Sequence, residues 1–115
     1  MKALNFYSSV YHANLLVGRK YCTIRLGDKT CKYREGDLVW VTHGDRFSKR
    51  KRIFTAVLDR VEAKPLRELS RRDLEGENPD MRTVEDAREF LEEIYRRKVS
   101  LDDTVTVVYF SEVEE

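Results

Sequence analysis

The chain has 115 residues, enough for one domain with a single core and too few for two ordinary ones. Hydrophobic residues make up 41% and charged residues 37%, which excludes a disordered chain and describes a folded one with a heavily ionised surface. The net charge of +1 hides an asymmetry: residues 1–64 carry fourteen Lys/Arg against six Asp/Glu, and residues 65–103 carry eight against twelve, so the front half offers a local field to an anionic partner.

No apolar run approaches the ~20 residues that cross a bilayer, and "MKALNFYSSV" has too short an apolar stretch for a secretory signal. Cys22 and Cys31 lie outside any CxxC pair, and their spacing matches neither a zinc site nor a disulfide framework. The expectation is a cytoplasmic monomer with reduced thiols, no membrane contact, no metal and no cofactor.

"KALNF", Lys2 to Phe6, alternates as a strand. Ser8 or Ser9 caps a short helix through "VYHANLLV", which Gly18 is placed to stop. "YCTIRL" is β-branched and aromatic enough for a strand. Gly36-Asp37 marks a tight turn into the apolar strand "LVWVTH", and "RIFTAVLDRVE" alternates as its hairpin partner across the polar loop "GDRFSKRK". Pro65 opens a short helix, "PLRELSRRDL", and "EGENPD" reads as a loop. Thr83 and Asp86 resemble a capping box for a helix whose stripe is Val84, Ala87, Phe90, Leu91, Ile94 and Tyr95. "DTVTVVYFSEV" is the last strand. The order β-α-β-β-β-α-α-β argues for a small, largely antiparallel barrel with helices outside it.

The stretch "GRKYCTIR", Gly18 to Arg25, holds three cations around a hydroxyl. On a strand, Cys22, Ile24 and Leu26 face the core, while Thr23 and Arg25 share the opposite face. A hydroxyl between cations can hold or polarise a carbonyl or phosphate oxygen. A lysine buried near other cations can lose its proton near neutrality and act as a base. The competing reading is an ordinary solvated basic face. "RFSKRKR", Arg46 to Arg52, supplies five cations and Phe47, either as a hairpin tip on phosphates or as a charged strand edge that resists aggregation. His12 and His43 are joined by no carboxylate pattern. Cys22 reads as a small buried apolar residue, and Trp40 as core or cleft wall, with core favoured.

The pattern G-x-K-x-x-T-x-R, here Gly18-Arg19-Lys20-Tyr21-Cys22-Thr23-Ile24-Arg25, resembles the signature of the ASCH domain family. "YREGDLVWV" is similar to the turn and strand that follow in that family, as is the ending "TVEDAREFLEEIY" plus a strand, so the resemblance spans roughly residues 3–112. It implies an α+β fold, a PUA-like small mixed or antiparallel β-barrel with flanking helices, occupying residues 1–115 as a single domain. It also implies a cleft lined by the signature and roles in RNA binding and RNA-linked metabolism. One branch of small stand-alone members hydrolyses 4-acetylcytidine with a Lys and a Thr of the signature and a Glu before the long helix. Lys20 and Thr23 match directly; Glu77 in "LEGENPD" is the corresponding carboxylate, with Glu75 the alternative.

The first functional reading is therefore a domain binding RNA or a modified nucleoside or nucleotide through Arg19, Lys20, Arg25, Arg46, Lys49, Arg50, Lys51 and Arg52. The second is a 4-acetylcytidine amidohydrolase using Lys20, Thr23 and Glu77, and the third a structural or protein-interaction domain without a ligand.

Overall fold

The structure is a computed structural model, described here for residues 1–6, 15, 18–44 and 50–114. Five strands form one mixed sheet: β1 (Lys2–Phe6), β2 (Cys22–Leu26), β3 (Leu38–His43), β4 (Lys51–Pro65) and β5 (Thr104–Glu112), in the spatial order β1-β3-β4-β5-β2. β1 lies parallel to β3, and the other neighbours are antiparallel. Helix α1 (Arg71–Glu77) and helix α2 (Val84–Tyr95) follow β4. The expected α+β architecture, a small mixed half-barrel with helices on its outside, is what the chain adopts.

Each face of the sheet carries an apolar cluster. Cys22, Ile24, Leu26, Val105 and Val107 pack against Leu74 of α1 and Ala87 and Leu91 of α2. On the concave side Leu4, Phe6, Val39, Val41, Ala56, Leu58, Val108 and Phe110 form a second cluster. This is why the strands read as apolar on both faces near the middle of the sheet and as alternating elsewhere.

The sequence places β1, β2, β3, β4, α2 and β5 within a few residues of their observed bounds. The capping box of α2 forms as expected, with Thr83 Oγ1 accepting from the Asp86 amide at 3.1 Å. Three expectations are corrected. Pro65 does not open a continuous helix: it ends the 15-residue β4 and stands at the N-cap of a single 3-10 turn (Leu66–Glu68), and α1 begins after Ser70. The reason is a second capping box, in which Ser70 Oγ accepts from the Asp73 amide and the Asp73 carboxylate accepts from the Ser70 amide. Glu75, Gly76 and Glu77 are consequently helical rather than loop. Trp40 is not core but 40% exposed, and the α2 stripe ends in exposed Ile94 and Tyr95. The expected helix over "VYHANLLV" and most of the loop "GDRFSKRK" lie outside the described residues. Leu15 is described as buried, and Gly18 takes the left-handed conformation (φ 75°) expected of a helix stop.

Among the described residues no helix is long and apolar enough to cross a membrane, and no group of three metal-ligating side chains occurs.

Candidate functional site

β1 and β2 are the two edges of the sheet, and the sheet curls until they approach each other. Arg25 bridges that seam. Its Nη2 donates to the Asn5 carbonyl of β1 at 3.0 Å, its Nε donates to Thr23 Oγ1 at 3.1 Å, and its guanidinium lies 5.2 Å from the centre of the Phe6 ring. Lys20 Nζ reaches the same ring at 5.0 Å. The signature motif therefore lines the seam, with Thr23 and Arg25 on one face and Cys22 and Ile24 on the other, as the alternation requires. Thr23 was expected at the cleft surface and is instead 2% exposed, because it sits beneath the Arg25 side chain.

Lys20 precedes β2, where Gly18 has already turned the chain, and its side chain runs along the outer edge of that strand. Nζ donates to the carbonyl oxygens of Cys22 at 3.0 Å and of Glu77 at 2.9 Å, and to the Glu77 carboxylate. The other Glu77 oxygen accepts from the Ile24 amide at 3.2 Å. Further along, the Leu26 amide donates to the Tyr95 hydroxyl at 3.2 Å. Three outward-facing backbone groups of this edge strand, the Cys22 carbonyl and the Ile24 and Leu26 amides, are thus satisfied by side chains, which blunts the edge against pairing with another strand. Glu75, the alternative carboxylate, points away and pairs with Arg71 at 2.9 Å, so the structure brings Glu77 rather than Glu75 to Lys20.

The Lys20–Glu77 pair is buried, with side chains 0% and 3% exposed. Burial pulls the Lys20 amine below its ordinary pKa, Glu77 opposes that pull, and Arg25 adds slightly to it. Arg19, which the sequence suggested as a source of crowding, is exposed. Close approach of α1 to β2 depends on Gly76: a Cβ there would stand 2.7 Å from Tyr21 Cε1 and 3.0 Å from Cys22 Cβ. The Gly76 carbonyl accepts from the Tyr21 amide at 3.2 Å across that contact.

The seam continues onto the base of the cationic hairpin. The sheet register aligns Asn5 with Thr42 and Arg52, and Phe6 with His43 and Lys51. The Asn5 side chain accepts from Thr42 Oγ1 at 2.7 Å and donates to the Gly44 carbonyl at 3.1 Å. Arg50, Lys51 and Arg52 are all exposed beside it. Arg46, Phe47 and Lys49 lie outside the described residues, as does His12. The sequence reading missed Asn5, Phe6 and Thr42. A polar Asn in an otherwise apolar strand was the available signal, but its partner is 37 residues away and visible only once β1 and β3 are paired.

A separate concavity of about 480 Å3 lies on the helix-bearing side between Tyr21, Tyr109, Arg72, Asp73 and Lys64. Within it Asp73 takes Lys64 Nζ at 2.7 Å and also accepts from the Tyr109 hydroxyl, and the Arg72 guanidinium lies over the Tyr21 and Tyr109 rings. The signature residues converge in the seam, which is therefore the candidate site.

Comparison with known structures agrees on the fold. A protein from Enterococcus faecalis V583, of the family DUF984, superimposes with a TM-score of 0.70 at 17% identity, over 98% of this chain and 80% of that one. An ASCH domain from Lactobacillus crispatus JV V101 gives 0.68 at 16% identity, over 96% of this chain and 79% of that one. A hypothetical protein, PH0355, gives 0.63 at 16% identity over 98% of this chain and all of the other. No family model matches the sequence, nor does any curated protein. The chain shares its fold with these structures, an ASCH domain among them, as its signature suggested.

Proposed function

We propose that the protein binds RNA, taking a base or modified nucleoside into the seam between β1 and β2 while the hairpin base holds the phosphates. The observation that carries this reading is the Arg25 bridge. It puts a cation, the buried Thr23 hydroxyl and the Phe6 ring where two strand edges meet, with exposed Lys51 and Arg52 on the same rungs two strands across the sheet. Cation, hydroxyl and aromatic ring suit a base and its sugar-phosphate, and exposed Arg and Lys suit a polyanion. The test is fluorescence anisotropy on labelled single-stranded RNA at two salt concentrations. An Arg50/Lys51/Arg52→Ala variant should bind more weakly, with a salt slope flatter by about 0.7 per lost phosphate contact. Equal affinity and slope in both proteins would remove the hairpin from the reading.

A second reading, hydrolysis of the amide of 4-acetylcytidine, is favoured by one observation: the buried Lys20–Glu77 pair, in which an amine weakened by burial faces a carboxylate. Thr23 Oγ would add to the acetyl carbonyl as its proton passes to the pair. The C–N bond would then break, with that proton going to the leaving amine of cytidine. Water would cleave the threonyl ester to acetate. Among the described residues three acceptors surround the Lys20 Nζ, which suits an ammonium, so the amine would act as a base only after passing one of its protons to Glu77. Chromatographic release of cytidine, lost at least about a hundredfold in Thr23→Ala, is the expected result. Absence of turnover with RNA binding intact would leave the seam a binding site alone.

A further inference from the structure

Trp40 is the single tryptophan of the chain, and it stands on the convex face of β3 with 40% of its surface exposed. Its neighbours across the sheet are Ala3 on β1 and Thr55 on β4, both too small to cover an indole. The next residue of β3 on that face towards the hairpin is Thr42, whose register partners are Asn5 and Arg52. A shift in the β3–β4 register between Val41 and Thr42 gives β4 one extra residue there, leaving Ile53 unpaired. The bulge turns Arg52 onto the face of Trp40, where its guanidinium lies over the indole at 5.8 Å from the ring centre. Without it, strict alternation would put Ile53 beside Trp40 and send Arg52 to the other side.

An exposed indole beside an arginine, on a strand that runs into a cationic hairpin, has the chemistry of a stacking platform for a nucleobase: the ring offers a π-face and the cation a phosphate contact. Asp37, just before β3, is engaged by Lys2 at 3.5 Å, and the cations Arg52, Lys51 and Arg50 stand at the hairpin end of the strand, while exposed Glu112 and Glu114 flank Val113 beside Thr55. Trp40 lies two residues, about 7 Å, along β3 from Thr42, and Asn5 at the seam lies one strand, about 5 Å, to the side of Thr42. The Asn5 carbonyl that receives Arg25 belongs to the Thr42 rung.

We propose that Trp40 and Arg52 form a second nucleotide subsite, on which a base of single-stranded RNA stacks while the adjacent nucleotide lies at the seam. This inference rests on the RNA-binding reading above and extends it from one base to two positions on either side of β1. The face could instead serve contact with a second copy of the chain, and the experiment separates the two.

Because Trp40 is the sole tryptophan, its emission reports on this subsite alone. Unlabelled single-stranded RNA is titrated into the full chain while emission at fixed protein concentration is followed, together with acrylamide quenching, and anisotropy of labelled RNA gives the affinity independently. The expected result is a fall in emission that saturates with the anisotropy curve, and protection of Trp40 from acrylamide in the complex. Trp40→Ala should weaken binding about fivefold to a hundredfold with no change in salt slope, and Trp40→Phe should stay within about fivefold of the wild type. Arg52→Gln should instead flatten the slope by about one phosphate contact. RNA that binds with Trp40 emission and acrylamide access unchanged overturns the subsite and leaves the RNA-binding reading standing. No binding by anisotropy removes both. Emission that changes with protein concentration in the absence of RNA, and not on adding it, assigns the face to self-association and also overturns the proposal.

Discussion

Replacing Glu77 by Gln tests whether the Lys20–Glu77 pair holds β2 against α1. The amide preserves shape and an oxygen for the Ile24 amide, and removes only the negative charge facing Lys20. Taking one partner from a buried ion pair costs about 3–5 kcal/mol, because the remaining charge is left uncompensated. For a chain of this length that is a fall in melting temperature on the order of 10–20 °C at neutral pH. The loss should shrink as pH rises. Burial already lowers the Lys20 pKa, and Glu77 is what opposes that, so the variant amine falls further. Its folded pKa then lies well below the unfolded value of about 10.4, the folded state binds fewer protons in between, and stability rises with pH across that interval. Urea unfolding of both proteins at neutral pH and near pH 10 should show a wide gap that narrows. A variant as stable as the wild type at neutral pH, or a gap that does not change with pH, would refute the account of the pair.

Gly76→Ala should cost about 1–3 kcal/mol in urea unfolding despite the better helix propensity of alanine, because its Cβ would meet Cys22 Cβ at 3.0 Å on a strand that cannot withdraw. Asp73→Asn should destabilise by about 2–3 kcal/mol at neutral pH, since the carboxylate accepts from Lys64, Tyr109 and the Ser70 amide. Burial alone would raise the Asp73 pKa, but those donors outweigh it and hold it low, so its contribution is present above about pH 4 and is lost as pH falls through the lowered value; an acid titration of both proteins should converge there. Iodoacetamide should modify Cys31 in the native protein and leave Cys22 untouched until denaturant is added, because Cys22 is buried and burial pushes its thiol upward; mass spectrometry showing two labels on the native chain would contradict that.

Much of the fold could be read from sequence because its strands carry local signals. Gly36 takes positive φ where the turn was expected, and Thr83 and Asp86 cap α2 as their spacing requires. The misplaced element was α1. Pro65 is compatible with a helix start, and nothing local shows that β4 runs through it by pairing with Thr104, 39 residues later. Trp40 misled for a similar reason: a large aromatic in an apolar strand favours burial, and its exposure follows from having Ala3 and Thr55 as neighbours, which only the register determines. At the site, the signature supplied Lys20, Thr23 and Arg25, but their arrangement depends on contacts far apart in the chain. Arg25 meets Asn5 because two sheet edges close on each other, and Glu77 meets Lys20 because Gly76 lets α1 approach.

The central claim, that the seam receives a nucleobase, is tested most directly by NMR of the 15N-labelled protein titrated with single-stranded RNA. The Arg25 Nε–H, which reports on its bond to Thr23, and the Asn5 amide across the seam should shift with the same midpoint as the anisotropy curve. Binding that shifts signals elsewhere while Arg25 Nε–H and Asn5 stay fixed would contradict the account.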